Sequence, residues 1–138
     1  MNILILGDVI GLSGCKAINL NLEKIIVSKK IDFTIVNGEN AANDGKGITR
    51  EIAELFFKKG VDVITSGNHI WDKAETIDFI SKEKRLLRPH NFPEGSPGSG
   101  LGIFHSRKNN YTVGVINLMG NVFMRKTEDV FEAAKNLQ

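Results

Sequence analysis

Three apolar runs, each closed by a glycine and then by a polar cluster, constrain this chain more than any other feature. They read "LILG" before Asp8, "IVNG" before Glu39 and Asn40, and "ITSG" before Asn68 and His69. Apolar runs this short and continuous predict strands buried on both faces, the first over Ile3 to Leu6. Segments with helical spacing separate them. One helix is expected from about Cys15 to Lys29. A second lies in "TREIAELFFKKG", where Thr49 suits an N-cap and Gly60 a stop, and a third in "KAETIDFISK". A strand–helix alternation repeated three times specifies a parallel sheet with helices packed on it, hence an α/β fold.

From Leu86 the pattern breaks. The segment "LLRPHNFPEGSPGSG" holds all three prolines of the chain, which predicts an irregular, functional loop over about 86–100. "LGIFHS" and "YTVGVINL" then read as a hairpin across "RKNN", and "TEDVFEAAKNLQ" as a closing helix without an obvious cap. With 138 residues the chain fits a single domain over 1–138. A net charge of +2, with lysines scattered along the chain, gives no strong nucleic-acid-binding signal. One cysteine, Cys15, excludes a disulfide framework and a cysteine-rich zinc site. "MNILILGDVIG" lacks the basic start and long apolar core of a signal peptide, and no run is long enough for a membrane helix. A cytoplasmic protein is the expectation.

In an open parallel sheet, ligands gather at the carboxyl ends of the strands, so Asp8, Glu39, Asn40, Asn68 and His69 should converge. Their chemistry suits hard or borderline divalent metals: two carboxylates and two amide carbonyls, with one carboxylate able to bridge two ions. His69 is placed to protonate a leaving oxygen or to stabilise charge on a phosphate. A single Asp or Asn-His after a strand is more often turn chemistry, but three such clusters on successive strands favour function. Trp71 reads as packing and Asp72 as the cap of the next helix. His90, with Arg88 and Asn91, is a weaker substrate-binding candidate, and His105 reads as structural. "GDVIGLSGCK" is not a phosphate-binding P-loop, because Leu12 stands at the second glycine position. Gly11, Ser13 and Gly14 could still offer backbone N–H groups to an anion.

The segments "GDVIG", "NGENAANDGKGIT", "GNHIWD", "RPHNFPEGSPGSG" and "VINLMG", in this order, resemble the YmdB-like family of calcineurin-like metallophosphoesterases. The resemblance runs through essentially the whole chain. It implies a metallophosphoesterase-type α/β fold, a β-sheet sandwich flanked by helices. It also implies two divalent metal ions, usually iron or manganese, and phosphodiesterase activity, with 2′,3′-cyclic nucleotides among the substrates. Carried over by position, Asp8 and Asn40 belong to the first metal, Glu39 bridges, Asn68 serves the second, and His69 is the catalytic histidine. Family members are about twice as long, and their second half carries further metal-binding histidines in "HAE"-like and "HTH"-like segments. The chain therefore resembles the first half of that fold, truncated before those ligands.

The leading expectation is a metal-dependent phosphoesterase acting on a phosphodiester or cyclic nucleotide, as a homo-oligomer or with a complementing C-terminal half. Its alternative is a catalytically inactive remnant or a regulatory, interacting protein of the same fold. A nucleotide-binding module is a third reading. Indifference to Asp8→Ala would favour the second, and stabilisation by nucleotides without metal the third.

Overall fold

In the computed structural model, which describes residues 1–106, 108–109 and 111–137, the alternation of the sequence becomes one parallel sheet. Strand β1 (Ile3–Leu6) leads through helix α1 (Gly11–Ser28) to β2 (Phe33–Asn37), through α2 (Arg50–Lys58) to β3 (Val63–Thr65), and through α3 (Ala74–Ile80) to β4 (Leu86–Leu87). The sheet order is β1-β2-β3-β4, all parallel, with Leu6 beside Val36, Asn37 beside Thr65 and Thr65 beside Leu87. An order that never reverses, with right-handed crossovers, puts every connecting helix on the same face. That face carries the larger core, where Val36, Ile64 and Leu86 meet Ile18 and Leu22 of α1, Ala53 and Phe56 of α2, and Ile80 of α3.

The opposite face is covered by a second element. Strands β5 (Leu101–His105) and β6 (Thr112–Ile116) pair antiparallel, and their inward residues Phe104, Val113 and Val115 pack on Phe33, Ile35, Val63 and Leu87. The expected hairpin is present. Residues 108–109 form a turn between its strands, and Arg107 and Asn110 of "RKNN" lie outside the described residues. Helix α4 (Val130–Lys135) follows.

Four expectations need correction. First, β1 is not buried on both faces: Ile3 is 42% and Ile5 70% exposed. The β5–β6 pair lies over residues of β2, β3 and β4, and β1 is the edge strand. Second, α1 begins at Gly11, well before Cys15. The helix has no side-chain cap to read, and Gly11 enters it at φ 54°, a conformation that glycine adopts at little cost. Third, the segment from Leu86 is not wholly irregular, since Leu86 and Leu87 are buried and extend the parallel sheet. Fourth, α4 does have a cap: the Asp129 carboxylate accepts from the N–H groups of Phe131 and Glu132. Thr49 caps α2 as expected, accepting from the N–H of Ile52.

Among the described residues no helix is long and apolar enough to cross a membrane.

Candidate active site

The carboxyl ends of β1, β2 and β3 are joined to one another by their own backbones. Val9 N–H donates to Asn37 C=O at 3.0 Å, Gly11 N–H to Asn40 C=O at 2.9 Å, and Gly38 N–H to Thr65 C=O at 3.0 Å. Three loops that leave a sheet side by side would otherwise diverge. These bonds hold them together, so that their side chains share one edge.

Asp8 and Asn40 meet directly: the Asn40 side-chain N–H donates to Asp8 Oδ1 at 2.7 Å. With its nitrogen engaged, Asn40 keeps its carbonyl oxygen for another partner. Asp8 sits at φ 43°, a left-handed value unusual for a non-glycine residue and typical of functional turns. Glu39 is set by two backbone contacts. Its own N–H donates to Asn37 Oδ1 at 3.0 Å, and its carboxylate accepts from His69 N–H at 3.2 Å. The carboxylate also lies against Gly67, where any Cβ would overlap it. Glycine is needed at that position for this approach, a reason beyond turn formation.

His69 has a partner that the sequence reading gave another task. Its Nδ1 lies 2.7 Å from Asp72 Oδ2. A carboxylate only accepts, so Nδ1 carries the hydrogen and Nε2 is the nitrogen left for a ligand. Asp72 is therefore not a helix cap. The N-cap of α3 is Lys73, without a side-chain bond. Removing the carboxylate in Asp72→Ala should turn a single Nδ1–H tautomer into a mixture with the Nε2–H form, read from the ring nitrogen shifts of His69. An unchanged spectrum would show that Asp72 does not orient the ring.

Asn68 and His69 line a cavity of about 350 Å³ with Trp71, Asp72, Phe123, Met124 and Arg125. Trp71 is also packing, as expected, with its ring 6.4 Å from that of Phe92. Arg125 was not singled out from the sequence. No motif marks it, and only the chain's return past Asn117 brings it there.

The remaining candidates are placed elsewhere. His90 is half-buried outside that cavity, its N–H bonded to Asn117 C=O at 2.7 Å. Arg88 spends its guanidinium on the carbonyls of Pro89, His90, Ser96 and Pro97, and burial pushes its pKa down. Asn91 is fully buried and bonds Met119, Thr127 and Glu128. These two residues tie the loop together. His105 is exposed in β5. At the start of α1 the N–H groups of Gly11 and Gly14 are bonded to Asn40 and Ile10 carbonyls, which leaves neither for an anion. The Cys15 thiol donates to Ala41 C=O, and burial raises its pKa, the opposite of a reactive thiolate.

The donor set of Asp8, Glu39, Asn40 and Asn68 is all oxygen, as a hard divalent cation requires. Among the described residues no three or more His, Cys, Asp or Glu side chains gather closely enough to hold a metal. The set fits part of a coordination shell.

The chain is similar to known proteins over nearly its whole length. The chain is 44% identical over 137 residues to the 2′,3′-cyclic-nucleotide 2′-phosphodiesterase of Bacillus subtilis, a match covering 99% of this chain and 51% of that protein. A crystal structure of a hypothetical protein from Thermus thermophilus superposes with a TM-score of 0.90 at 36% identity, over 99% of this chain and 52% of that one. A phosphatase structure from Mycoplasma pneumoniae gives 0.87 at 32%, over 98% and 49%. The chain thus spans about half the length of the curated relatives it matches. The profile described as YmdB-like protein matches residues 4–138, taking in every strand end that carries the site, and the chain belongs to that family.

Proposed function

We propose that the chain contributes part of the active site of a phosphodiesterase, metal ligands and the catalytic histidine included: a metal-dependent hydrolase of the metallophosphoesterase class, acting on 2′,3′-cyclic nucleotide-type phosphodiesters through a binuclear site. The observation that carries this reading is the joining of three strand ends, which sets the Asp8–Asn40 pair and the Glu39–His69 contact on one sheet edge. The relatives' names agree with a hydrolase of phosphate esters.

In this reading Asp8 and Asn40 would hold one cation and Asn68 the other, Glu39 would serve both, and manganese or iron would suit the oxygen donors. Ions bound there would neutralise the phosphate and acidify the attacking water. His69 acts on the other side of phosphorus. The Nδ1–H form leaves Nε2 bare, so His69 enters the step doubly protonated. As the new P–O bond to water forms and the bond to the leaving oxygen breaks, the water releases a proton to solvent. The imidazolium passes its Nε2 proton to the leaving oxygen, returning the ring to the Nδ1–H form held by Asp72. Asp72 fixes the ring so that Nε2 faces that oxygen.

The second reading, a partner-dependent protein, rests on a specific observation. Strand β1, paired with β2 on one side only, reads Ile-Leu-Ile-Leu with no charge within it. Beside it runs an apolar groove of about 420 Å³ lined by Leu6, Ala17, Ile18, Leu22 and Ile25. Open apolar edges are ordinarily covered or charged. We propose that the polypeptide corresponding to the relatives' other half covers this edge and completes the metal shell.

The test is hydrolysis of 2′,3′-cyclic AMP with millimolar manganese, by the chain alone and co-expressed with the stretch of the Bacillus subtilis relative that it does not match. Asn68→Ala and His69→Ala should each lower the rate about 100-fold or more. Activity indifferent to both substitutions, or absent in both preparations, would reject the reading.

A further inference from the structure

Across the cavity from His69, the turn at 121–126 is built to present two side chains. Its ends are pinned by one buried amide: Asn91, with no exposed surface, donates to Met119 C=O, Thr127 Oγ1 and Glu128 C=O and accepts from Met119 N–H. Within the turn, Asn121 Oδ1 accepts from Thr127 N–H and Asn121 C=O from Met124 N–H. At its tip Phe123 is 103% exposed and holds φ 60°. Two costs therefore coincide: an aromatic ring left wholly in water, and a bulky side chain in the left-handed region. Such strain persists where surrounding structure fixes it, and it clusters at ligand clamps. Two residues on, Arg125 lines the same cavity as Asn68 and His69, and among the described residues it makes no ion pair or hydrogen bond. Trp71 supplies a second aromatic wall.

We infer that this turn is a nucleobase platform, with the Phe123 ring stacking on the base and the Arg125 guanidinium pairing with the phosphate of the same ligand. The inference rests on the phosphodiesterase reading and assigns to this turn the residues that would hold the base and the phosphate of such a substrate. A planar ring on a pinned turn offers stacking area with little rotamer entropy to lose, and every base has a face to stack. The guanidinium fork matches two phosphate oxygens. The cavity volume of about 350 Å³ suits a mononucleotide-sized ligand. The larger cavity of about 690 Å³ beside Leu12, Cys15 and Thr49 lacks such a cation, because its Lys73 is bound to Asp44 at 2.7 Å.

The experiment is a metal-free titration of the 138-residue chain by NMR, comparing 2′,3′-cyclic AMP with dimethyl phosphate, a phosphodiester without a base. Metal-free conditions prevent turnover, so the outcome is independent of whether hydrolysis is observed. The base-bearing ligand should bind roughly tenfold more tightly. Phe123→Ala should abolish that preference and leave dimethyl phosphate unaffected, whereas Arg125→Ala should weaken both. Phe123 makes no buried contact to lose, so circular dichroism should show both variants folded. Equal affinity for the two ligands, no effect of Phe123→Ala, or no saturable binding of 2′,3′-cyclic AMP in the millimolar range would overturn the inference.

Discussion

Gly67→Ala should leave the fold standing and disable the site. Gly67 has no left-handed φ, so alanine is compatible with its backbone, and the nearest obstacle to a Cβ is the Glu39 carboxylate packed on it. That obstacle is the far end of a flexible side chain, which can swing aside. Stability should therefore stay within about 1 kcal/mol of the parent, since the smaller entropy of the unfolded alanine chain offsets part of the crowding. Glu39, however, would leave the position where it accepts from His69 N–H and from which it would serve both of the proposed cations. Loss of a bridging ligand should cost about 100-fold in manganese affinity, or roughly 3 kcal/mol. Thermal unfolding and calorimetric titration separate the two effects, and the His69 amide proton reports the broken bond directly. Adding Glu39→Asp shortens the carboxylate by one methylene and should recover part of the affinity. Unchanged manganese binding in Gly67→Ala would mean that Glu39 is not a ligand.

The same strand ends show what a sequence can disclose. Glu39, Asn40, Asn68 and His69 were legible because glycine closes each strand and the next residues lie within a short reach of the sheet edge, which fixes their neighbourhood without knowledge of the tertiary fold. Asp72 was misread because an acidic residue before a helical pattern satisfies capping statistics equally well. Only the 2.7 Å contact with His69 distinguishes the two roles. The exposure of Ile5 was hidden for a different reason. A run of four apolar residues encodes burial, but whether a strand is central or at the edge is a property of sheet order. Strand β4 is two residues long, too short for any periodicity, and shows itself only by pairing with β3. Arg125 and Phe123 carry no motif at all. They reach the site because Asn91, nearly thirty residues before Met119 in the chain, holds the end of their turn.

Gly100→Ala should do the reverse of Gly67→Ala and unsettle the fold itself. A Cβ on buried Gly100 would overlap the backbone of His90, which has no flexible end to move. Both residues bracket Asn117: His90 N–H donates to Asn117 C=O at 2.7 Å, and Asn117 N–H donates to Gly100 C=O at 2.9 Å. Asn117 in turn donates from its side chain to Ser66 C=O at 2.7 Å and Leu87 C=O at 3.1 Å. Pushing His90 away therefore opens the joint that seats β6 on the ends of β3 and β4, and it exposes bonds that burial makes costly to break. Backbone crowding of this kind should cost about 3 kcal/mol, lowering the unfolding temperature by roughly 10 °C. Gly114→Ala is the matched control, a glycine in β6 with nothing near its Cβ. It should be neutral or stabilising by up to about 1 kcal/mol. Equal melting temperatures for the two variants would show that the His90–Asn117–Gly100 joint does not hold the second sheet in place.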